Sequence, residues 1–138
     1  MKIKAKVKKP ERWKSGTCAM TSRLIMKMQC GVAFAQHQFD QERIKQTGVK
    51  SILREDVVPA LRTTAMLSSD RLVGGNWDPR AKPYLKKAFA ANTRIMNVIK
   101  NGPEKIPLKD APEFSRKILV VWNAFDDAWR AVRDHCRA

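Results

Sequence analysis

Acidic side chains are scarce in this sequence. Its 138 residues include 13 aspartates and glutamates against 28 lysines and arginines, so the formal net charge is +15 and the isoelectric point is near 10.3. Self-repulsion of this size weakens a compact fold unless a polyanion offsets it. The composition therefore favours a partner rich in phosphate, with an anionic membrane surface and simple solubility as the alternatives.

The sequence also lacks the local ligand spacing of metal centres and redox motifs. Its three cysteines, Cys18, Cys30 and Cys136, lie far apart along the chain. Cysteine is often buried for packing alone. We therefore expect no metal and no cofactor, and we expect buried, reduced thiols in an intracellular setting, with a single disulfide as the alternative.

A long uncharged hydrophobic run is missing as well. The stretch from Thr17 to Ala35 follows a basic start and ends in small residues, as a secretion signal does, but Arg23 and Lys27 interrupt it. Signal peptides and membrane spans both avoid charges in such a position. The sequence therefore predicts no secretion signal and no membrane partner.

Positive charge is densest at the N-terminus. Residues 1–16 carry seven basic side chains and one acidic one, and Pro10 ends a short alternation of lysine with apolar residues. Like charges with little to bury favour an extended arm that stays disordered until an anion orders it. We interpret residues 1–16 as a basic extended arm and residues 17–138 as a helical domain.

The body has the apolar period of amphipathic helices, with steps of three and four. This pattern predicts an all-α, bundle-like fold of four to five helices and no strand. A first helix is expected from about residue 17 to about residue 46, with Gly48 as its stop. A second is expected from residue 49 to about residue 72, with a kink or short break at Pro59.

The C-terminal part contains the clearest helical pattern. A third helix is expected from residue 79, capped by Asp78, to about Lys100, followed by a loop over residues 102–112. A fourth helix should follow that loop. Its apolar residues fall on one face and are expected to be buried: Phe114, Ile118, Val121, Trp122, Phe125, Trp129, Val132 and Cys136.

One pair of residues invites a catalytic interpretation. The spacing of Arg130 and His135 resembles the Arg-x4-His motif of the HEPN ribonucleases, which are also small helical bundles. That resemblance implies a histidine acting on a ribose 2′-hydroxyl and an arginine that steadies the phosphate. The alternative is that Asp126 and Asp134 form ion pairs with Arg130 along the helix. We favour the ion pairs, and we expect no catalytic residues, no enzymatic activity and no small-molecule substrate.

Basic residues in segments poor in acid are the candidate nucleic-acid contacts. The sequence has no recognition-helix or zinc-finger signature, so we expect contacts to backbone phosphates without base readout. Trp13 is either an anchor between arm and body or a stacking contact. The predicted contacts are Lys2, Lys4, Lys6, Lys8, Lys9, Arg12, Trp13, Lys14, Arg23, Lys27, Lys82, Lys86 and Lys87.

A lysine-rich arm that leads into a body of long helices resembles the plan of the major coat proteins of filamentous and rod-shaped archaeal viruses. The resemblance implies proteins that pair with like chains, wrap double-stranded DNA and hold it in an A-like form inside a helical virion. We therefore expect a structural protein that packages DNA as a homo- or hetero-oligomer, in a virion or the host cytoplasm. The alternative is a small helical RNA-binding subunit of a larger ribonucleoprotein, such as a CRISPR effector, or a ribosome-associated protein.

Overall fold

The computed structural model describes the backbone of residues 15–74 and 77–137 and the side chains of residues 18–68 and 77–134. The predicted contacts from Lys2 to Lys14 lie outside these residues. The elements in chain order are α1 (Ser15–His37), α2 (Gln41–Thr47), β1 (Ser51–Leu53), α3 (Arg54–Gly74), α4 (Lys82–Lys100), β2 (Lys105–Pro107), a 3-10 helix (Leu108–Asp110) and α5 (Ala111–Arg137). The predicted all-α fold class is confirmed.

The four long helices pack as a ring. α1 packs against α3 and α5, and α4 packs against the same two helices, so α1 and α4 lie at diagonal corners. Neighbouring helices run antiparallel. For example, the Trp129 indole N–H donates to Ser22 Oγ at 3.0 Å, and Gln36 Nε2 donates to Ser115 Oγ at 3.3 Å. The result is an up-down-up-down bundle.

The core lies between these helices. On α5, Ile118, Val121, Phe125 and Val132 are buried, and Phe114, Trp122 and Trp129 are partly buried against the core. The predicted apolar face of α5 is therefore confirmed over its described side chains, which do not include Cys136. Full burial of one such side chain contributes roughly 1.5–3 kcal/mol, so this face is the main attachment of α5.

The first predicted helix is divided in two. α1 ends at His37 and α2 begins at Gln41, because Asp40 has an extended backbone and its carboxylate accepts a hydrogen bond from the Arg43 N–H at 3.0 Å. Beside it, Phe39 is fully buried, 5.6 Å from Phe114 between ring centroids. Gly48 ends α2 with a positive φ of 68°, as predicted.

The prediction of no strand was wrong. β1 and β2 form an antiparallel pair with Ile52 opposite Ile106, both buried. The segments had been expected to be a helix and a loop. Each strand contributes a single buried apolar residue, which creates no detectable period, and its hydrogen-bonding partner lies far away in sequence.

α3 is one continuous helix through Pro59, so of the predicted kink or short break the break does not occur. Val57, Val58 and Leu61 are buried around the proline, so packing holds this segment helical despite the missing backbone donor. α3 begins at Arg54, whose guanidinium donates to the carbonyl oxygens of Lys100 at 3.3 Å and Gly102 at 2.9 Å. Arg54 thereby satisfies carbonyl groups at the end of α4, which stops at Lys100 as predicted.

The start of α4 differs from the prediction. Asp78 caps the turn that precedes the helix, since its Oδ1 accepts a hydrogen bond from the Arg80 N–H at 2.9 Å. Its own N–H donates to Thr21 Oγ1 at 3.0 Å, which ties this turn to α1. α4 itself begins three residues after Pro79, at Lys82, with Pro83 in its first turn.

Gly31 allows α1 and α3 to approach closely. A Cβ at this position would lie 2.8 Å from Thr64 Oγ1 and 3.2 Å from the Ala60 carbonyl oxygen. Thr64 Oγ1 is itself held by a hydrogen bond of 3.2 Å to the Met28 carbonyl oxygen. The missing side chain at Gly31 therefore sets the spacing of the two helices.

Gly31→Ala is expected to destabilise the protein by about 1–3 kcal/mol, because the added methyl overpacks this contact. The measurement is urea unfolding followed by circular dichroism. Helix propensity alone would stabilise the variant by about 1 kcal/mol, so the sign of the change is decisive. Ala33→Gly, an exchange at an exposed position of the same helix, measures that propensity. A stabilised Gly31→Ala variant would contradict the close approach.

Candidate nucleic-acid interface

The antiparallel packing brings distant basic segments to one half of the bundle. The hydrogen bonds from Asp78 to Thr21 and from Trp129 to Ser22 place the start of α1, the start of α4 and the end of α5 together. We call this part the arm half, because residue 14 of the arm is bonded to Ser15 there. It is formed by residues 15–27, 77–90 and 125–137, together with the C-terminal end of α3. The far half contains α2, both strands, the 3-10 helix and the opposite ends of the long helices.

All five predicted contacts with described side chains lie in the arm half and are exposed to solvent: Arg23, Lys27, Lys82, Lys86 and Lys87. None of these five forms an ion pair with another described side chain. Their positive charges are therefore available to an external anion. The two on α1 and the three on α4 project from different helices.

Acidic residues in the arm half are largely neutralised by arginines. The ion pairs are Asp78 with Arg80 at 3.6 Å, Asp126 with Arg130 at 2.9 Å and Asp134 with Arg133 at 3.2 Å. Asp78 is fully buried, so its charge is covered by protein on every side. Among the described side chains of this half, the three α4 lysines, the two α1 cations and the exposed Asp127 form no ion pair.

The ion pair of Arg130 bears on the ribonuclease interpretation. The predicted pair with Asp126 is confirmed, whereas Asp134 pairs with Arg133 and not with Arg130. Asp126 also accepts a hydrogen bond from Gln29 Nε2 at 3.3 Å, so Arg130 belongs to a polar contact between α1 and α5. The side chain of His135 lies outside the described residues. A structural role explains the position of Arg130.

Helices α1 and α4 contain no acidic residue at all. The sequence of α1 includes two basic residues other than histidine, and that of α4 includes five. In the far half the charges are mixed. Glu113 is an example, since the hydrogen bond from Lys117 and its positive charge lower the pKa of this exposed carboxyl. Lys117 is thereby engaged by a neighbour, in contrast to the lysines near the start of α4.

The tryptophans with described side chains serve packing. Trp77 is buried and contacts Phe89, with 6.4 Å between ring centroids, and Trp122 and Trp129 are partly buried against the core. The exposed aromatic residue near the basic cluster is Tyr84, with 42% of its surface accessible. It can donate to a phosphate or stack on a base. The sequence reasoning missed it, although this lone tyrosine lies between Lys82 and Lys86.

The cysteines differ from the expectation of buried, reduced thiols. Cys30 is exposed and free, whereas Cys18 is buried and disulfide-bonded, which agrees with the alternative of a disulfide. Cys30 lies one turn after Lys27 on α1 and lines a shallow depression with Met26 and Arg23. A reactive group therefore lies beside the two cations of α1.

Neither a metal cluster nor a membrane span occurs in the part of the chain that the structure describes. No three histidine, cysteine, aspartate or glutamate side chains come together there as a possible metal site. None of the helices within it combines the length and the apolar character needed to cross a bilayer.

No protein-family model, no curated protein and no solved structure matches this chain.

Proposed function

We propose that this chain is a structural nucleic-acid-binding protein that packages double-stranded DNA through sequence-independent contacts to backbone phosphates. The observation that carries the proposal is the arm half of the bundle. There, five exposed and unpaired cations on α1 and α4 lie on the same half as the attachment point of an arm with seven basic residues. In this proposal the chain binds and organises DNA and does not catalyse a reaction.

Phosphate contact is the mode of binding that these residues suit. Lysine is a compact point charge that attracts phosphate without reading bases. Six of the seven basic residues of the arm and four of the five basic residues of α4 are lysines. Each neutralised phosphate releases condensed counterions, which makes the affinity depend steeply on salt. The proposal therefore includes little discrimination between DNA sequences.

The proposal extends to assembly with like chains, as in the helical coat proteins that the sequence resembles. Such assembly requires contact between copies. Val98 and Val120 are more than half exposed and line an apolar groove between α4 and α5 that also includes Arg94. This groove supports the proposed oligomer by supplying an apolar surface away from the α1 cations.

Replacement of Lys82, Lys86 and Lys87 by glutamine is expected to weaken binding to double-stranded DNA. The slope of log affinity against log salt should fall in magnitude by about 3, close to one for each lost phosphate contact. Fluorescence anisotropy with two duplexes of unrelated sequence measures both the slope and the sequence dependence.

The matched control replaces Lys45, Lys50 and Lys109, three exposed lysines of the far half, by glutamine. It changes the net charge by the same amount and should leave the slope nearly unchanged. Equal losses in both triple variants would show that total charge governs binding and would reject the interface. A strong preference for one duplex would contradict phosphate-only contact.

DNA bound to the α1 cations should shield Cys30 from a bulky maleimide. The expected result is a several-fold slower modification of Cys30 in the complex than in the free protein, measured by mass spectrometry. The effect should disappear at high salt, where the phosphate contacts are screened. An unchanged rate in the complex would exclude α1 from the interface.

Electron microscopy of the chain with long double-stranded DNA at low salt tests the assembly. A packaging protein is expected to produce regular filaments along the DNA. Binding to RNA together with the absence of filaments on DNA would instead favour the small subunit of a ribonucleoprotein.

A further inference from the structure

Two diagonal corners of the bundle carry basic residues without any acidic ones. α1 and α4 contain no acidic residue, whereas the acidic residues of the four long helices all lie on α3 and α5. α1 and α4 each pack against both α3 and α5. The two helices without acidic residues are therefore separated by α3 on one side of the ring and by α5 on the other. The charge is thus arranged as two separate basic strips.

The exposed cations of each strip point away from the core. On α1, Ser22, Gln29 and Gln36 contact α5, and Gly31 approaches α3. The remaining outer surface of α1 presents Arg23 and Lys27, which we call the α1 face. On α4, Asn92 Nδ2 donates to the Leu61 carbonyl oxygen of α3 at 3.1 Å, and Phe89 contacts Phe125 of α5.

The outer surface of α4 presents the second group of cations. Lys82, Lys86 and Lys87 are exposed there, and we call these three residues the α4 face. Since the two helices occupy diagonal corners, the two faces are directed to opposite sides of the bundle. Packed helix axes are about 8–10 Å apart, so the axes of α1 and α4 at diagonal corners are roughly 13 Å apart. The two faces point outward from these axes and are separated by more than this distance.

A straight duplex that lies along one of these faces cannot also contact the other. We propose that one copy of the chain is bivalent, with the α1 face and the α4 face each bound to the phosphate backbone of a different double-stranded DNA segment. The protein then bridges two segments, in addition to coating either of them. This inference rests on the proposed binding of double-stranded DNA. It adds that one copy of the chain holds two DNA segments.

The balance of charge supports two sites of unequal strength. The α4 face has three unpaired lysines and an exposed tyrosine beside them, whereas the α1 face has two cations. Because binding of the first segment holds the second face close to any nearby DNA, even the weaker face operates at a high effective concentration within condensed DNA. Bridging is therefore expected to become prominent when DNA is concentrated.

A capture assay with the full chain tests bivalency. One duplex is fixed to beads, the protein is added at less than saturating amounts, and retention of a second, fluorescent duplex is measured at low salt. The parent protein is expected to retain the second duplex. Two variants remove one face each: Arg23→Gln with Lys27→Gln, and Lys82→Gln with Lys86→Gln and Lys87→Gln. The control is the far-half variant with Lys45, Lys50 and Lys109 replaced by glutamine.

Each single-face variant should still bind the fixed duplex but retain several-fold less of the second one, and the far-half control should retain as much as the parent. All substituted side chains are exposed, and unchanged circular dichroism spectra verify that the variants are folded. The arm is present in every variant, so its contribution is the same throughout.

Three outcomes would overturn the inference. If the parent binds the fixed duplex without retaining the second, the chain is not a bridge, although the proposed DNA binding stands. If either single-face variant bridges as well as the parent, bridging arises from the arm or from contacts between copies. If the parent fails to bind the fixed duplex at all, the proposed function fails as well.

Discussion

The burial of one apolar face on each of four long helices is the constraint on which the rest of this structure depends. The fully buried side chains come from every long helix, among them Ile25 of α1, Leu61 of α3, Leu85 of α4 and Phe125 of α5. A helix that buries one face must present the other to solvent. The positions of the charges therefore follow from the way the apolar faces are packed.

Polar contacts inside the bundle set the register of the helices. Asn92 and Thr64 are buried, and each donates to a backbone carbonyl of a neighbouring helix. A typical hydrogen bond contributes only about 1 kcal/mol net, but a buried donor left unpaired costs about 1–3 kcal/mol. A shifted register would leave the Asn92 donor unpaired, whereas Thr64 could still donate to the Ala60 carbonyl oxygen of its own helix. Asn92 therefore favours one alignment of α3 and α4.

The same alignment decides how the charges combine. Asp126 and Asp134 on α5 and Asp78 before α4 lie among the cations of the arm half, yet each is paired with an arginine. The arginines thus neutralise these three carboxylates, although the exposed Asp127 forms no ion pair, and the lysines are left exposed. In the far half, where Lys117 is paired with Glu113, the charges are mixed along the surface. Across the bundle, α1 and α4 lack acidic residues, whereas α3 and α5 contain charges of both signs.

The sequence by itself determined the helical class, the apolar face of α5, the stops at Gly48 and Lys100 and the exposure of five candidate contacts, because these depend on local period and capping. It also indicated the pairing of Arg130 with Asp126, since four residues are one helical turn. Local patterns in the sequence did not predict the division of the first helix near residue 40, where the Asp40 carboxylate caps α2 and Phe39 is buried. Local patterns also did not predict the two short strands.

Only the tertiary structure decided which basic residues lie on the same face and which lie on opposite faces. Residues 23 and 86 are far apart in sequence, and no local pattern shows that their helices occupy diagonal corners of one half of the bundle. That arrangement comes from the ring order of α1, α3, α4 and α5, which is set by contacts between residues distant along the chain. Long-range packing, and not composition, therefore turns a general excess of positive charge into two opposed faces.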